Sequence, residues 1–335
     1  MTATAVAHPN IALVKYWGKA DAQLALPATG SVSMGLDVFP TTTTVTLDDD
    51  AAADSFVLNG GAAPDGALLR TQQFLDLVRD LAGSSTHAAV DSVNTVPTGA
   101  GLASSASGFA ALATAAAAAY GLDLSERDLS RLARRGSGSA TRSIPGGVSV
   151  WHAGDDQGSY AERIAAPPMA MVVVTISAGE KAIGSREAMR RTIATSPFYP
   201  AWVTSTTATV GDMVDACAVG DFTRIGEITE SNALRMHATI EGAFPPIRYL
   251  TARSVAVFDA VAELRAAGTE AYATADAGPN VVVLTKPEDR SAVARALAGL
   301  GDVIESGTGP GARVVRSEGT EVPGAGAVRP EETAE

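Results

Sequence analysis

Cysteine occurs once in the 335 residues, at Cys217. A single thiol excludes an internal disulfide framework and a cysteine-built zinc site, and a reducing compartment is its ordinary setting. Lysine is nearly as scarce: Lys15, Lys19, Lys181 and Lys286 stand against twenty-one arginines. Long apolar runs are missing as well. The alanine tract 115–119 is too short and too weakly apolar to span a bilayer. MTATAVAHPN has no basic stretch leading into an apolar one. Neither a membrane span nor a secretory signal is expected, and the expected location is cytoplasmic. Positive charge is in deficit too. A net charge of −12 argues against nucleic acid and anionic membrane surfaces as partners.

What is present suits a globular protein long enough for two domains or one large one. The first half alternates strand and helix signals. TTTTVTL (41–47), VDSVNTV (90–96), GGVSVWH (146–152) and MAMVVVTIS (169–177) read as strands. Residues 67–83 have helical apolar spacing ending on a glycine, and a helix is expected from about 105 to 120, closed by Gly121. Ser125 opens another helix, running to 138. The second half is mostly helical, near 180–195, 198–219, 221–241 and 247–267, with strands at 270–275 and 281–285. A composition shift sets an expected boundary at 178, giving lobes 1–178 and 179–316. The polar Gly/Pro-containing tail 317–335 is expected to be disordered.

The segment PTGAGLASSASG (97–108) follows a strand and leads into a helix. Small residues let backbone N–H groups approach a polyphosphate, and the helix start turns its positive end toward the same place. Ser104, Ser105 and Ser107 add hydroxyls for phosphate or Mg²⁺. The usual P-loop lysine is absent. Alone, such a run is more often a flexible turn with a Ser cap. A second small-residue segment, RRGSGSATRSIPGG (134–147), carries three arginines. Two such segments point to two anionic ligands. An acidic chain that binds anions needs a local cationic cluster, and Lys15 and Lys19 are spaced to supply one, although a solvated salt-bridging face explains that spacing too.

The loop resembles that of the GHMP small-molecule kinases, which wrap ATP phosphates without a P-loop lysine. HPNIALVKYWGKAD (8–21), LPATGSVSMGLD (26–37), RRGSGSATRS (134–143), EKAIGSREAM (180–189), MHATIEGAFPPIRYL (236–250) and AYATADAGPN (271–280) narrow the resemblance to the mevalonate diphosphate decarboxylases. These motifs run in that family's order from residue 8 to residue 280. The resemblance implies an α/β (α+β) two-lobed fold. Its N-terminal lobe would be like ribosomal protein S5 domain 2 and its C-terminal lobe ferredoxin-like, with the site in the cleft. The implied reaction is ATP-dependent decarboxylation of 5-diphosphomevalonate to isopentenyl diphosphate, with ATP and Mg²⁺ as cofactors and a homodimer as the expected assembly.

Residue by residue, the resemblance gives Asp276 the task of orienting the C3 hydroxyl and taking its proton late in phosphoryl transfer. Arg142 grips the substrate carboxylate, a geometry that suits a guanidinium fork, and Asn10 orients that arginine. Lys15 supports the transferring phosphoryl or Asp276. Tyr16, Lys19, Ser137, Gly138, Ser139, Ser185 and Arg186 meet the substrate diphosphate, and Met189 packs on its apolar edge. Pro97, Gly99, Ala100, Gly101, Leu102, Ala103, Ser104, Ser105 and Ser107 hold the ATP phosphates, with Ser105 on the metal and Asn94 bordering adenine or ribose. His8, Arg134 and Arg135 are read as structural or peripheral, and Trp17 and Trp151 as core. His237, in MHAT, carries only a weak functional signal. Alternatives are a 5-phosphomevalonate decarboxylase, a mevalonate 3-kinase of the same fold and a non-catalytic metabolite-binding relative. The first two differ from the main reading in substrate and product, and the last would tolerate damage in the catalytic set.

Overall fold

In the computed structural model of the chain, the described residues are 1–96, 104–177 and 183–317. Threonine and valine in alternation build the centre of a six-stranded sheet. Along Thr41–Asp48 the side chains of Thr41, Thr43 and Val45 are buried while Thr42 and Thr44 are half-buried, as a strand with one covered face requires. This strand pairs antiparallel with Thr2–Ala7 on one side and His87–Asn94 on the other. Ser55–Leu58 adds parallel to His87–Asn94, with Gly61–Ala62 beyond it, and Arg313–Ser317 closes the far edge.

Helix Ser104–Ala119 lies on this sheet. Its alanines (Ala106, Ala110, Ala113 and Ala116 among them) are fully buried, so the helix is covered on nearly all sides. Small side chains are what permit that, because each neighbour can come close. On its other side packs helix Glu126–Gly136, whose cap Ser125 accepts the N–H of Asp128 as expected. A Cβ on Gly136 would fall 2.0 Å from the Phe109 ring, so this contact demands glycine. A 3₁₀ turn over Gly138–Ser143 follows.

A second sheet orders Ala161–Ile164, Val148–Trp151, Ser31–Gly35 and Asn10–Val14. The third orders Ala271–Thr274, Val281–Thr285, Ala170–Thr175 and Asp302–Ser306. Helices Tyr199–Val219 and Phe222–Glu241 join these two sheets in one core that includes Ile11, Met34, Met171, Val173, Met213, Ile225 and Leu284. Helices Ala252–Ala266 and Arg290–Leu297 cover the other face of the third sheet. Burial on both faces is why VVVLT and AMVVVT read as unbroken apolar runs.

Sheet membership differs from the division expected at 178. Ala170–Thr175 is flanked by strands of the second half, and Arg313–Ser317 returns to the N-terminal sheet. Both ladder partners of Ala170–Thr175 lie far downstream, where a linear reading cannot see them. Ser317, first residue of the expected tail, ends a paired strand; residues 318–335 lie outside the described residues. Among the described residues no helix is long and apolar enough to cross a membrane.

Candidate active site

A cleft of about 990 Å³ opens between the lobes. Its lining gathers Lys15, Lys19, Arg70, Arg134, Arg135, Arg142 and Arg186, against one carboxylate among the described residues, Asp276. The cationic lining answers the global charge: low-dielectric walls focus a local positive field that the distant surface acids do not cancel.

At the centre, Nζ of Lys15 donates to Oδ1 of Asp276 at 2.6 Å. Lys15 follows the buried strand Asn10–Val14 and is itself 1% exposed, whereas Asp276 follows the strand Ala271–Thr274 and is 29% exposed at its side chain. Burial lowers the Lys15 pKa and Arg142 adds to that effect, while Asp276 raises it back. The carboxylate opposes, without cancelling, the loss of ammonium character that burial imposes.

Arg142 comes from the 3₁₀ turn and is 3% exposed. Nη1 donates to Oγ of Ser31 at 2.6 Å and Nε to Oδ1 of Asn10 at 3.3 Å. Asn10 donates in turn to Oγ of Ser143 and the carbonyl of Ser139 at 2.8 and 3.0 Å. Nη2 engages no hydrogen-bond partner among the described residues. Burial brings the guanidinium down to about 10, opposed by Asp276. The group therefore stays charged at neutral pH, fixed on one side and open on the other to a carboxylate.

Beyond it, the Tyr16 ring stands edge-on to Trp151 at 4.8 Å. Gly138 makes the room: a Cβ there would sit 3.0 Å from the Tyr16 hydroxyl and 3.1 Å from the Trp151 ring. The Tyr16 hydroxyl is buried and has no partner among the described residues, and burial raises its pKa. Lys19, Arg70 and Arg186 line the same cleft, near enough to act on one another. Arg70 and Arg186 both donate to the carbonyl of Gly136, at 3.1 and 3.4 Å. Burial lowers Lys19, with Arg186 and Arg70 adding to it, and burial plus Arg186 bring Arg70 to about 10. Like charges held this close favour a polyanion between them. At the other end Ser104 and Ser105 stand exposed at the N-terminus of helix Ser104–Ala119, the end of a helix that suits a phosphate. Oγ of Ser105 lies 3.2 Å from Oγ of Ser137, itself 3.3 Å from Oγ of Ser139. A chain of hydroxyls joins the two ends of the cleft.

Two family models match the chain along most of its length. The diphosphomevalonate decarboxylase-like N-terminal domain matches residues 7–161, and the mevalonate 5-diphosphate decarboxylase C-terminal domain matches residues 171–308. The diphosphomevalonate decarboxylase mvd1 of Aspergillus fumigatus is 38% identical over 337 residues, covering 92% of this chain and 83% of its own. The chain belongs to the diphosphomevalonate decarboxylase family. Among solved structures, mevalonate diphosphate decarboxylase from Staphylococcus aureus superposes with a TM-score of 0.91 at 41% identity, over 94% of this chain and 98% of that one. A complex of MDDEF with MVAPP, AMPPCP and magnesium superposes with a TM-score of 0.90 at 44% identity, over 95% and 99%. The two-lobed α/β fold is therefore that of this family.

Lys15, Tyr16, Lys19, Asn94, Ser104, Ser105, Ser137, Gly138, Ser139, Arg142, Ser185, Arg186, Met189 and Asp276 all line the one cleft, although they come from across the chain. Asn10 stands behind Arg142. Ser107 does not join them. Its side chain is fully buried, and its hydroxyl takes the Thr41 hydroxyl at 2.8 Å and donates to the carbonyl of Ser104. Three residues into the helix, the turn carries it inward onto the sheet, away from any phosphate. Pro97, Gly99, Ala100, Gly101, Leu102 and Ala103 lie outside the described residues. Arg134 and Arg135 reach the lining despite their expected peripheral place. Arg134 is also tied to Asp156 and to the carbonyls of Leu24 and Ser159. Trp17 is core, as expected, yet also borders the cleft.

Sequence reasoning missed Arg70. It sits on helix Asp65–Ala82, which shows only amphipathic spacing, and nothing local marks one of its arginines as special. Asn232, whose Oδ1 accepts the Lys15 backbone N–H at 2.7 Å, was missed for the same reason.

Proposed function

We infer that the protein catalyses ATP-dependent decarboxylation of (R)-5-diphosphomevalonate to isopentenyl diphosphate, ADP, phosphate and CO₂. The observation that carries this reading is the Lys15–Asp276 contact beside the half-committed Arg142, at the meeting point of two cationic ends of one cleft. A tertiary hydroxide is a poor leaving group, and the carboxylate has no adjacent carbonyl to receive its electrons. Phosphorylation at C3 creates the leaving group. As phosphate departs, positive charge builds at C3 and the C–COO⁻ electron pair fills it, releasing CO₂.

Asp276 orients the hydroxyl and accepts its proton late, as phosphoryl transfer removes electron density from the oxygen. An ordinary carboxylate is too weak a base to do so earlier. Lys15 pairs with that carboxylate and offers its positive end to the transferring group. Arg142, fixed by Asn10 and Ser31, positions the carboxylate. Tyr16, Lys19, Arg70, Ser137, Ser139, Ser185 and Arg186 hold the diphosphate, with Met189 against its carbon edge. Mg-ATP enters as the second substrate, its phosphates at Ser104, Ser105 and the segment before them, its nucleoside near Asn94. Among the described residues no His, Cys, Asp and Glu cluster could hold a metal alone. Mg²⁺ bound with ATP would be held on the protein side by the Ser105 hydroxyl, and would neutralise charge on the phosphates. The same reading carries a cytoplasmic homodimer, supported by the family resemblance and the single thiol.

The test supplies Mg-ATP with 5-diphosphomevalonate and, separately, with 5-phosphomevalonate, following ADP and CO₂ together. Equal ADP and CO₂ from the diphosphate alone is the expected result. Equal release from the monophosphate points to the monophosphate decarboxylase, ADP without CO₂ to a 3-kinase, and neither to a binding relative.

A further inference from the structure

One helix holds both members of the central ion pair from behind. On Phe222–Glu241, Oδ1 of Asn232 accepts the backbone N–H of Lys15 at 2.7 Å. Five residues later, Nε2 of His237 bonds the carbonyl of Ala275 at 3.3 Å. Both side chains are buried, Asn232 completely and His237 to 3% exposure. Five residues place them about 140° apart around the helix, so the helix is straddled by the two segments it grips.

The chemistry of the histidine follows from its neighbours. A carbonyl can only accept, so Nε2 carries the proton and Nδ1 is bare, without a partner among the described residues. Burial holds the ring down to about 4, and the Lys15 charge adds to that. A charged ring here would set a second cation beside Lys15. The Ala275 carbonyl and the Asp276 N–H belong to one peptide plane, so anchoring that carbonyl fixes the direction in which the Asp276 side chain leaves the chain. Asn232 does the same for the peptide at Lys15. Asn232 is itself steadied by Nδ2 on the Thr206 hydroxyl at 3.4 Å.

We propose that Asn232 and His237 are positioning residues that set the Lys15–Asp276 geometry through the backbones of the two reacting segments. This rests on the reading of that pair as the reaction centre. A displacement of 1 Å at such a centre costs on the order of 100-fold in rate.

The test compares His237→Phe, which keeps a ring and loses the donor, with His237→Gln, which keeps an N–H donor, and adds Asn232→Ala. Expected for His237→Phe is a kcat about 10- to 100-fold lower, with KM for both substrates within about twofold. His237→Gln recovers kcat to within about threefold, and Asn232→Ala falls like His237→Phe. A His237→Phe enzyme with wild-type kcat overturns the proposal, as do Phe and Gln variants impaired alike. Should His237→Phe not fold, the other two decide: a loss above about tenfold in His237→Gln, or an Asn232→Ala loss carried by KM, counts against it. Failure of the underlying reading shows separately, as Asp276→Asn retaining CO₂ release.

Discussion

Lys15 and Asp276, 261 residues apart in sequence, meet at 2.6 Å with the lysine wholly buried and the aspartate facing the cleft. The asymmetry sets what each substitution does. Asp276→Asn removes the carboxylate proposed to accept the proton and leaves the buried Lys15 side chain without its ion-pair partner. A general base is worth about 10²- to 10⁴-fold in rate, so ADP and CO₂ should fall together by that factor. Breaking a buried pair costs about 3–5 kcal/mol, and part of that should appear as a lower melting temperature. Lys15→Met leaves the charge that is partly in water, so activity should fall as far with a smaller loss of stability. Thermal denaturation beside coupled ADP and CO₂ assays separates the two.

Arg70 lies against Arg186 with burial bringing it down to about 10, a strain that a polyanion relieves. Arg70→Gln should raise KM for the diphosphate substrate about tenfold and leave KM for ATP unchanged, one lost charged hydrogen bond being worth roughly 1.5–3 kcal/mol. Initial-rate measurements with each substrate varied would show it. An equal rise in both constants would place Arg70 outside the diphosphate end.

Gly138→Ala puts a methyl group against the Tyr16 hydroxyl and the Trp151 ring, both near 3.0 Å. The tyrosine must turn or the turn Gly138–Ser143 must shift, so substrate KM should rise about tenfold, with a stability change of about 1 kcal/mol, as for other overpacked sites. Steady-state kinetics and a urea midpoint read the two effects. An unchanged KM would mean that Tyr16 does not bear on the substrate.

His237 makes stability pH-dependent in a known direction. Its folded pKa, about 4, is below the usual 6.5, so between those values the unfolded chain binds the extra proton. Stability is present above pH 6.5 and drains away as the pH falls toward 4. The share due to His237 is on the order of 2 kcal/mol between pH 6.5 and 5. Urea unfolding at the two pH values, for wild type and His237→Gln, isolates it. Parallel losses in both proteins would show the histidine to be uninvolved.

Much was legible from local chemistry. Left-handed Gly83 and Gly121 end helices where the sequence indicates, and Ser125 caps the next helix as its spacing with Asp128 requires. The β-branched run at 41–47 and the apolar runs at 169–177 and 281–285 fall on the strands Thr41–Asp48, Ala170–Thr175 and Val281–Thr285. The KYWGK, GSGSATRS and DAGPN segments carry the family resemblance, and Lys15, Lys19, Ser137, Gly138, Ser139, Arg142 and Asp276 from them line one cleft. The helix ends and strand runs are properties of neighbours along the chain, set by period, capping and steric permission.

Only the tertiary structure decided the rest. The return of Arg313–Ser317 to the first strand, the inward turn of Ser107 and the place of Ala170–Thr175 in the later sheet depend on partners dozens to hundreds of residues away. The same holds for Arg70 and Asn232, whose helices advertise nothing but an apolar face, and for His237, whose MHAT segment carries only a weak signal. A backbone carbonyl or a second arginine becomes a neighbour only when the core closes. Hydrophobic burial, which has no direction of its own, fixes those distances, and the polar contacts then select among them.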